Sequence, residues 1–224
     1  MKNFCIINVA IGLGYENLQV KQKNWLDHVG YNGDVLYWTT YPDPNFDNGC
    51  VYNVKASAIE QAISLGYEQV MWLDASFYSI RNPMPIIEII RNEGYYLINN
   101  GYNAAQECND RCLDYFGITR DEAEKIPMLS SGIMGLDLTK EKPKEFAQQF
   151  IRAAKNGVFY GSRRHDGQSQ DERFLHHRQD QSAASCIAHK LGMKIRNLGE
   201  HVIYNDLNNP EDKPEGIVFK IQGA

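Results

Sequence analysis

No stretch of the 224-residue sequence approaches the ~18 consecutive apolar residues that a membrane-spanning helix needs, so membrane insertion is not expected. Positive charge is scarce as well: 23 Lys and Arg stand against 28 Asp and Glu, a net charge of −5. Such a chain has no global attraction for nucleic acid or an anionic membrane surface. An anionic small molecule must therefore be held by local donors or by a metal. Cysteine is sparse and odd in number (Cys5, Cys50, Cys108, Cys112, Cys186), which argues against a disulfide framework and for buried free thiols in a reducing compartment. Cys108 and Cys112 lie one helical turn apart, but no second Cys or His pair follows at zinc-site spacing. The apolar run at residues 4–9 is too short for a signal peptide, and the expected location is the cytoplasm. Internal repeats and low-complexity linkers are absent from the sequence too.

What is present is the composition of a globular protein, 43% hydrophobic and 23% charged, on a length that suits one domain spanning residues 1–224. A short apolar run rich in β-branched residues at 4–9, and the segments 35–39, 69–73, 95–99 and 132–136, read as strands. Helical spacing marks 15–28, 51–65, 83–92, 108–116, 121–125, 142–156 and 181–191. Short strands are expected at 193–197 and 202–204, and the stretch 205–216 is turn-rich. Strands alternating with helices of this length predict a three-layer α/β/α, Rossmann-like domain with a mostly parallel central sheet. In such sheets ligands collect at the carboxyl ends of strands, near a switch in strand order.

Three segments carry candidate chemistry. The apolar run Val70-Met71-Trp72-Leu73 leads straight into Asp74-Ala75-Ser76. A carboxylate and a hydroxyl leaving a strand end offer oxygen ligands to Mg²⁺ or Mn²⁺, which recruit substrate phosphates to complete their shell. The plain alternative is a carboxylate capping the next turn. Lys55, near the start of the preceding helix, is a cation within reach of a phosphate, or an ordinary solvated lysine. In the second segment, Asp180-Gln181-Ser182-Ala183-Ala184 opens a helix after the long polar stretch 161–179. Loops of that length usually serve a function, and this one carries Arg163, Arg164, His165, Asp166, Asp171, Glu172, His176, His177 and Arg178. Asp180 alone reads equally as an N-cap. In the third, Ser131-Gly132 precedes an apolar strand and permits close backbone approach to a ligand, or simply makes a turn. His201 is a lone imidazole, a metal ligand or a packing residue.

In this order the segments resemble the GT-A class of nucleotide-sugar-dependent glycosyltransferases, most closely its short bacterial and large-DNA-virus members, from Phe4 to about His201. The resemblance implies an enzyme, hexosyltransferase-like, that moves a sugar from a nucleotide-diphosphate-sugar, a UDP-sugar being favoured, to a glycan or other hydroxyl acceptor with metal assistance. It implies a donor site of Asn8, Val9, Gly12, Tyr15, Lys55, Asp74, Ala75, Ser76, Ser131, Gly132 and Gln181. It further implies Mn²⁺ or Mg²⁺ on Asp74, Ser76 and His201, and Asp180 or Asp166 as the catalytic carboxylate. Where the class has Asp-x-Asp this chain reads Asp74-Ala75-Ser76, so one carboxylate is replaced by a hydroxyl. Two other functions compete. A nucleotidyltransferase would want a basic glycine-rich loop after the first strand, and residues 8–14 hold no Lys or Arg. A non-catalytic nucleotide-sugar-binding module draws support from Ser76.

Overall fold

A computed structural model describes residues 2–161, 168–204 and 214–222. Its main sheet has five strands: β1 (Lys2–Val9), β2 (Asp34–Trp38), β3 (Tyr67–Leu73), β5 (Tyr95–Asn103) and β6 (Pro127–Asp137), in the order β2-β1-β3-β6-β5. A second sheet of three short strands sets β8 (Phe219–Ile221) between β4 (Phe77–Ser79) and β7 (Val202–Tyr204). The helices are α1 (Leu13–His28), α2 (Val54–Ser64), α3 (Met84–Glu93), α4 (Ala104–Glu107), α5 (Asp110–Phe116), α6 (Arg120–Ala123), α7 (Glu141–Lys155) and α8 (Asp180–Lys190).

Side chains alternate across each central strand, and both faces are apolar, so the sheet is buried between two helical layers. Ile7, Val70, Trp72, Leu97, Met134 and Leu136 face one cluster with residues of α2, α5, α7 and α8. Their neighbours Ile6, Met71, Leu73, Tyr96, Ile98 and Ile133 face a second cluster with α1, α3 and the small sheet. The three-layer expectation therefore holds. The mostly parallel sheet does not: β1 pairs parallel with β2 and β3, but β6 pairs antiparallel with both β3 and β5. One reversed strand inside the sheet makes it mixed. β6 is buried on both faces over most of its length, and its central run Ile133–Leu136 is apolar on both, so its sequence reads like a parallel core strand and does not reveal its direction.

Local signals explain the helix limits. α7 presents Phe146, Ala147, Phe150, Ala153 and Ala154 along one stripe, with Glu141 in its first turn and Arg152 and Lys155 in its last, complementing the helix dipole. α3 stops at Gly94, which takes the left-handed conformation that glycine adopts without steric cost. α6 begins with Thr119 and Glu122 in a capping box. The segment 193–197, expected to be a strand, makes only one isolated bridge, Ile98 to Arg196.

Phe150 is fully buried, stacked on Phe146 at 6.0 Å and tilted against Phe159 at 4.9 Å. Phe150→Ala should lower unfolding stability by about 3–5 kcal/mol through lost burial and a residual cavity, measured by urea unfolding.

Candidate functional site

In the order β2-β1-β3-β6-β5 the chain leaving β1 goes to one side and the chain leaving β3 to the other, so a switch point lies between their carboxyl ends. At that switch point β3 ends, and the Asp74 amide donates to Gly132 O of β6 at 2.8 Å. The chain then turns, with Phe77 N donating back to Asp74 O at 2.9 Å. Gln22 of α1 reinforces the turn, its Nε2 donating to Asp74 O at 2.7 Å and to Phe77 O at 3.1 Å. The position of Asp74 is thus set by three separate elements.

Two motifs distant in sequence meet here through one side chain. Lys55, in the first turn of α2, lies with its Nζ 2.9 Å from Asp180 Oδ2 and 3.3 Å from Asp74 Oδ1. The same ammonium donates to Ser131 O at 2.9 Å and to Ser131 Oγ at 3.0 Å. Asp74 Oδ1 also accepts from Trp72 Nε1 at 2.7 Å. Asp180 Oδ2 takes no aligned hydrogen bond, so its contact with Lys55 is one of charge. Lys55 and Asp180 are buried, at 7% and 2% exposed, whereas the Asp74 side chain is 35% exposed. Burial opposes the charged form of Lys55, but the facing charges of Asp180 and Asp74 outweigh it and hold the ammonium above the ordinary lysine range.

Asp180 is held at the first position of α8, where the helix N-terminus favours an anion. The residue before it, Gln179, has φ 50°, and among the described residues it alone combines positive φ with a side chain. Its Nε2 donates to Gly161 O at 3.0 Å. Gln181 reaches the other way, with Oε1 accepting from Ser131 N at 3.4 Å and Nε2 donating to Glu107 Oε2 at 3.2 Å. Glu107 is buried and also contacts Asn100 Nδ2 at 2.7 Å and His176 Nε2 at 3.0 Å. Trp72, Glu107, Asn100 and Gln22 were not singled out from sequence. Trp72 lay inside the motif segment, where an indole reads as core, and a single Glu in a short helix carries no sequence signal at all.

Of the residues expected at the site, Lys55, Asp74, Ser131, Asp180 and Gln181 form one connected cluster. Gly132 belongs to it by its smallness: a Cβ there would lie 2.5 Å from Phe77 Cε2 and 3.2 Å from Asp74 Oδ2. Ala75 is buried and Ser76 half-buried in the turn after Asp74. Gly12 caps α1 with φ 95°, and Tyr15 in the first turn of that helix is exposed. Val9 is buried in the main core cluster. Asn8 is fully buried and both ends of its amide are engaged: Nδ2 donates to Leu73 O at 2.6 Å and Oδ1 accepts from Gln19 Nε2 at 2.6 Å. Its part in the site is to tie β1 to the end of β3. The contacts shown for His201 run to the small sheet and Tyr96, with no hydrogen bond or ion pair to Asp74 among the described residues. Its carbonyl accepts from Val218 N at 2.7 Å, and its ring lies edge-on to Tyr96 at 5.8 Å, against the small sheet.

Asp166 falls outside the described residues, as do Arg163, Arg164 and His165. Asp171 is paired at the surface with Arg173 at 2.8 Å, which holds its carboxyl well below the usual range. A groove of about 950 Å³ lies at the opposite end of β3, around Glu68 and Leu138, and none of its lining residues belongs to the Lys55 cluster.

A divalent metal finds one exposed carboxylate here. Lys55 and Trp72 both contact Oδ1 of Asp74, and the missing side chain at Gly132 keeps the Oδ2 edge clear, with the Ser76 hydroxyl two residues on. These residues fit a hard cation that takes its remaining ligands from a substrate. A separate group of soft-metal ligands, Cys108, Cys112 and Cys186, has its sulfurs within 4.8 Å of one another.

No protein-family model matches the chain, and no curated protein matches it. Solved structures do. Mouse xyloside xylosyltransferase 1 in its apo form is 11% identical with a TM-score of 0.50, over 98% of this chain and 97% of that one. A WbbM bifunctional glycosyltransferase in its apo form is 10% identical with a TM-score of 0.52, over 94% of this chain and 41% of that one. A glycosyltransferase involved in glycosylation of the major capsid of PBCV-1 is 12% identical with a TM-score of 0.50, over 97% and 93%. At these identities the likeness is one of fold, and the fold of this chain is GT-A-like.

Proposed function

We propose that the chain is a glycosyltransferase that takes a sugar from a nucleotide-diphosphate-sugar, a UDP-sugar in the favoured case, and passes it to a glycan or other hydroxyl acceptor. The observation that carries this reading is the Lys55 ammonium lying within 3.3 Å of both Asp74 and Asp180, at the switch point of a GT-A-like sheet. The reading assigns the donor's diphosphate to Asp74, Ser76 and Gly132, and the transferred sugar to the side of Ser131, Asp180 and Gln181.

Electrostatics support the need for a further cation. One lysine against two carboxylates leaves the cluster with an excess negative charge. A diphosphate brought against it would be repelled. Mn²⁺ or Mg²⁺ entering with the donor, held by Asp74 and Ser76, would neutralise the diphosphate and stabilise the charge it gains on departure. Lys55 fixes both aspartates in place. Asp180, buried beside the developing oxocarbenium character of the sugar carbon, stabilises that positive charge, as the carboxylates of glycoside hydrolysis do. Ser76 in place of a second acid favours a second reading, a module that binds the donor without turning it over, and the Asp180 variant separates the two.

Three outcomes are expected. Thermal-shift screening should find one nucleotide-sugar that raises Tm in the presence of Mn²⁺, with the shift lost in Asp74→Asn; no shift across UDP-, GDP- and CMP-sugars would remove the donor assignment. In Asp180→Asn, donor binding should persist while donor hydrolysis and transfer fall by about 10²-fold or more, read by release of the nucleoside diphosphate. Wild-type binding with no turnover for any acceptor or for water would favour the binding module. Lys55→Met should cost about 3–5 kcal/mol by leaving Asp180 buried without its counter-charge. Adding Asp180→Asn to Lys55→Met should restore part of that loss in a double-mutant cycle of urea unfolding.

A further inference from the structure

Three of the five cysteines, from three different places in the chain, end in one buried cluster. Cys108 lies in the turn between α4 and α5, Cys112 on α5 and Cys186 on α8, and each is 0% exposed. All three sulfurs lie within 4.8 Å of one another, and Cys108 Sγ is 4.0 Å from Cys186 Sγ. In a tetrahedral zinc–thiolate site, Zn–S bonds of about 2.3 Å place the sulfurs roughly 3.8 Å apart. The cluster is therefore already close to the spacing that zinc imposes.

The surroundings suit a thiophilic cation. Met128 Sδ of β6 is 4.0 Å from Cys108 Sγ, so a fourth sulfur borders the cluster, which hard cations do not favour. Three thiolates around Zn²⁺ leave one net negative charge. Arg120 stands next to it, nearly buried, donating to Cys108 O at 2.7 Å and Ala105 O at 2.8 Å while pairing with Asp110 on its outer side. His177 is nearby and buried, but its Nδ1 accepts from Asn109 N at 3.2 Å, so its Nε2 carries the proton and is no ligand in that tautomer.

We propose that Cys108, Cys112 and Cys186 bind one Zn²⁺ as three thiolates, with the Met128 thioether on the fourth side, as a structural site that anchors α8 to α5. Binding releases the thiol protons to solvent and involves no change of oxidation state. Cys186 is six residues beyond Asp180 on α8, about 9 Å along the helix at 1.5 Å per residue. The metal would thereby fix the helix that carries the catalytic candidate. The assignment does not depend on which sugar donor the protein uses, or on whether it uses one.

The test uses the full chain purified without chelators from zinc-supplemented cells. Elemental analysis should give about one zinc per chain, and titration with an organomercurial should release it into a chromogenic chelator as three thiols react. Exchange for Co²⁺ should produce the near-ultraviolet thiolate-to-cobalt charge-transfer band and the visible bands of a tetrahedral site. Cys112→Ser and Cys186→Ser should lose the metal, whereas Cys50→Ser, which alters a buried cysteine outside the cluster, should keep it. The wild-type titration needs no variant, so misfolding of a serine variant leaves the test intact. Zinc far below one per chain, a cobalt spectrum without thiolate bands, or a wild-type mass lighter by two hydrogens, marking a disulfide within the cluster, would overturn the proposal.

Discussion

The arrangement depends on a lysine that is charged although it is buried. Burial works against the Lys55 ammonium, and without that ammonium Asp180 would be a buried carboxylate with no counter-charge. The two carboxylates are the reason that Lys55 keeps its charge. Lys55 comes from α2, Asp74 from the end of β3 and Asp180 from α8, so the charge cluster also holds three elements that the chain order separates. Such ion clusters contribute little net stability compared with a well-packed apolar equivalent, because desolvation offsets most of the attraction. Their persistence inside a core is better explained by what they position than by what they stabilise.

Much of the fold was legible because α3 and α7 are amphipathic and the central strands largely apolar. The spacing of Phe146, Phe150 and Ala153 marks α7, and the run from Val70 to Leu73 marks β3 with its terminal aspartate. Strand direction was not legible. Period-2 burial is the same whichever way a strand runs, and β6 is buried on both faces over most of its length. Of the small sheet only β7 is anticipated, as the strand expected at 202–204; β4 and β8 are three residues each, too short for any periodic pattern. Its β8 depends on residues far away in sequence, pairing with β4 across more than a hundred positions.

The site shows the same division. Asp74 and Asp180 could be named from sequence because each follows a recognisable change of secondary structure. Lys55 could be named only weakly, since a lysine in a first helical turn is ordinarily solvated; its burial follows from packing against β6. Asn8 and His201 show the reverse. Asn8 sits at the correct strand end, yet its amide is consumed by Leu73 and Gln19, and only three-dimensional accounting reveals it. His201 follows the correct helix but joins Tyr96, because the chain after α8 runs along the far side of the sheet. Glu107 has no local signature; a buried acid is defined by its partners, and here those are Asn100, His176 and Gln181.

The left-handed backbone at Gln179 has a consequence for how the site is insulated. A glutamine in that conformation carries a strain of about 1–2 kcal/mol that glycine would not. The side chain offsets it by gripping Gly161 O, eighteen positions earlier. That bond helps tie the start of the excursion between α7 and α8 to its end, alongside Asn109, whose amide donates to both Tyr160 O and Gln168 Oε1. The carboxylate just beyond that bond, Asp180, is thereby held to the stretch that leaves α7, so the helix start that carries it is fixed from outside α8 as well as from within.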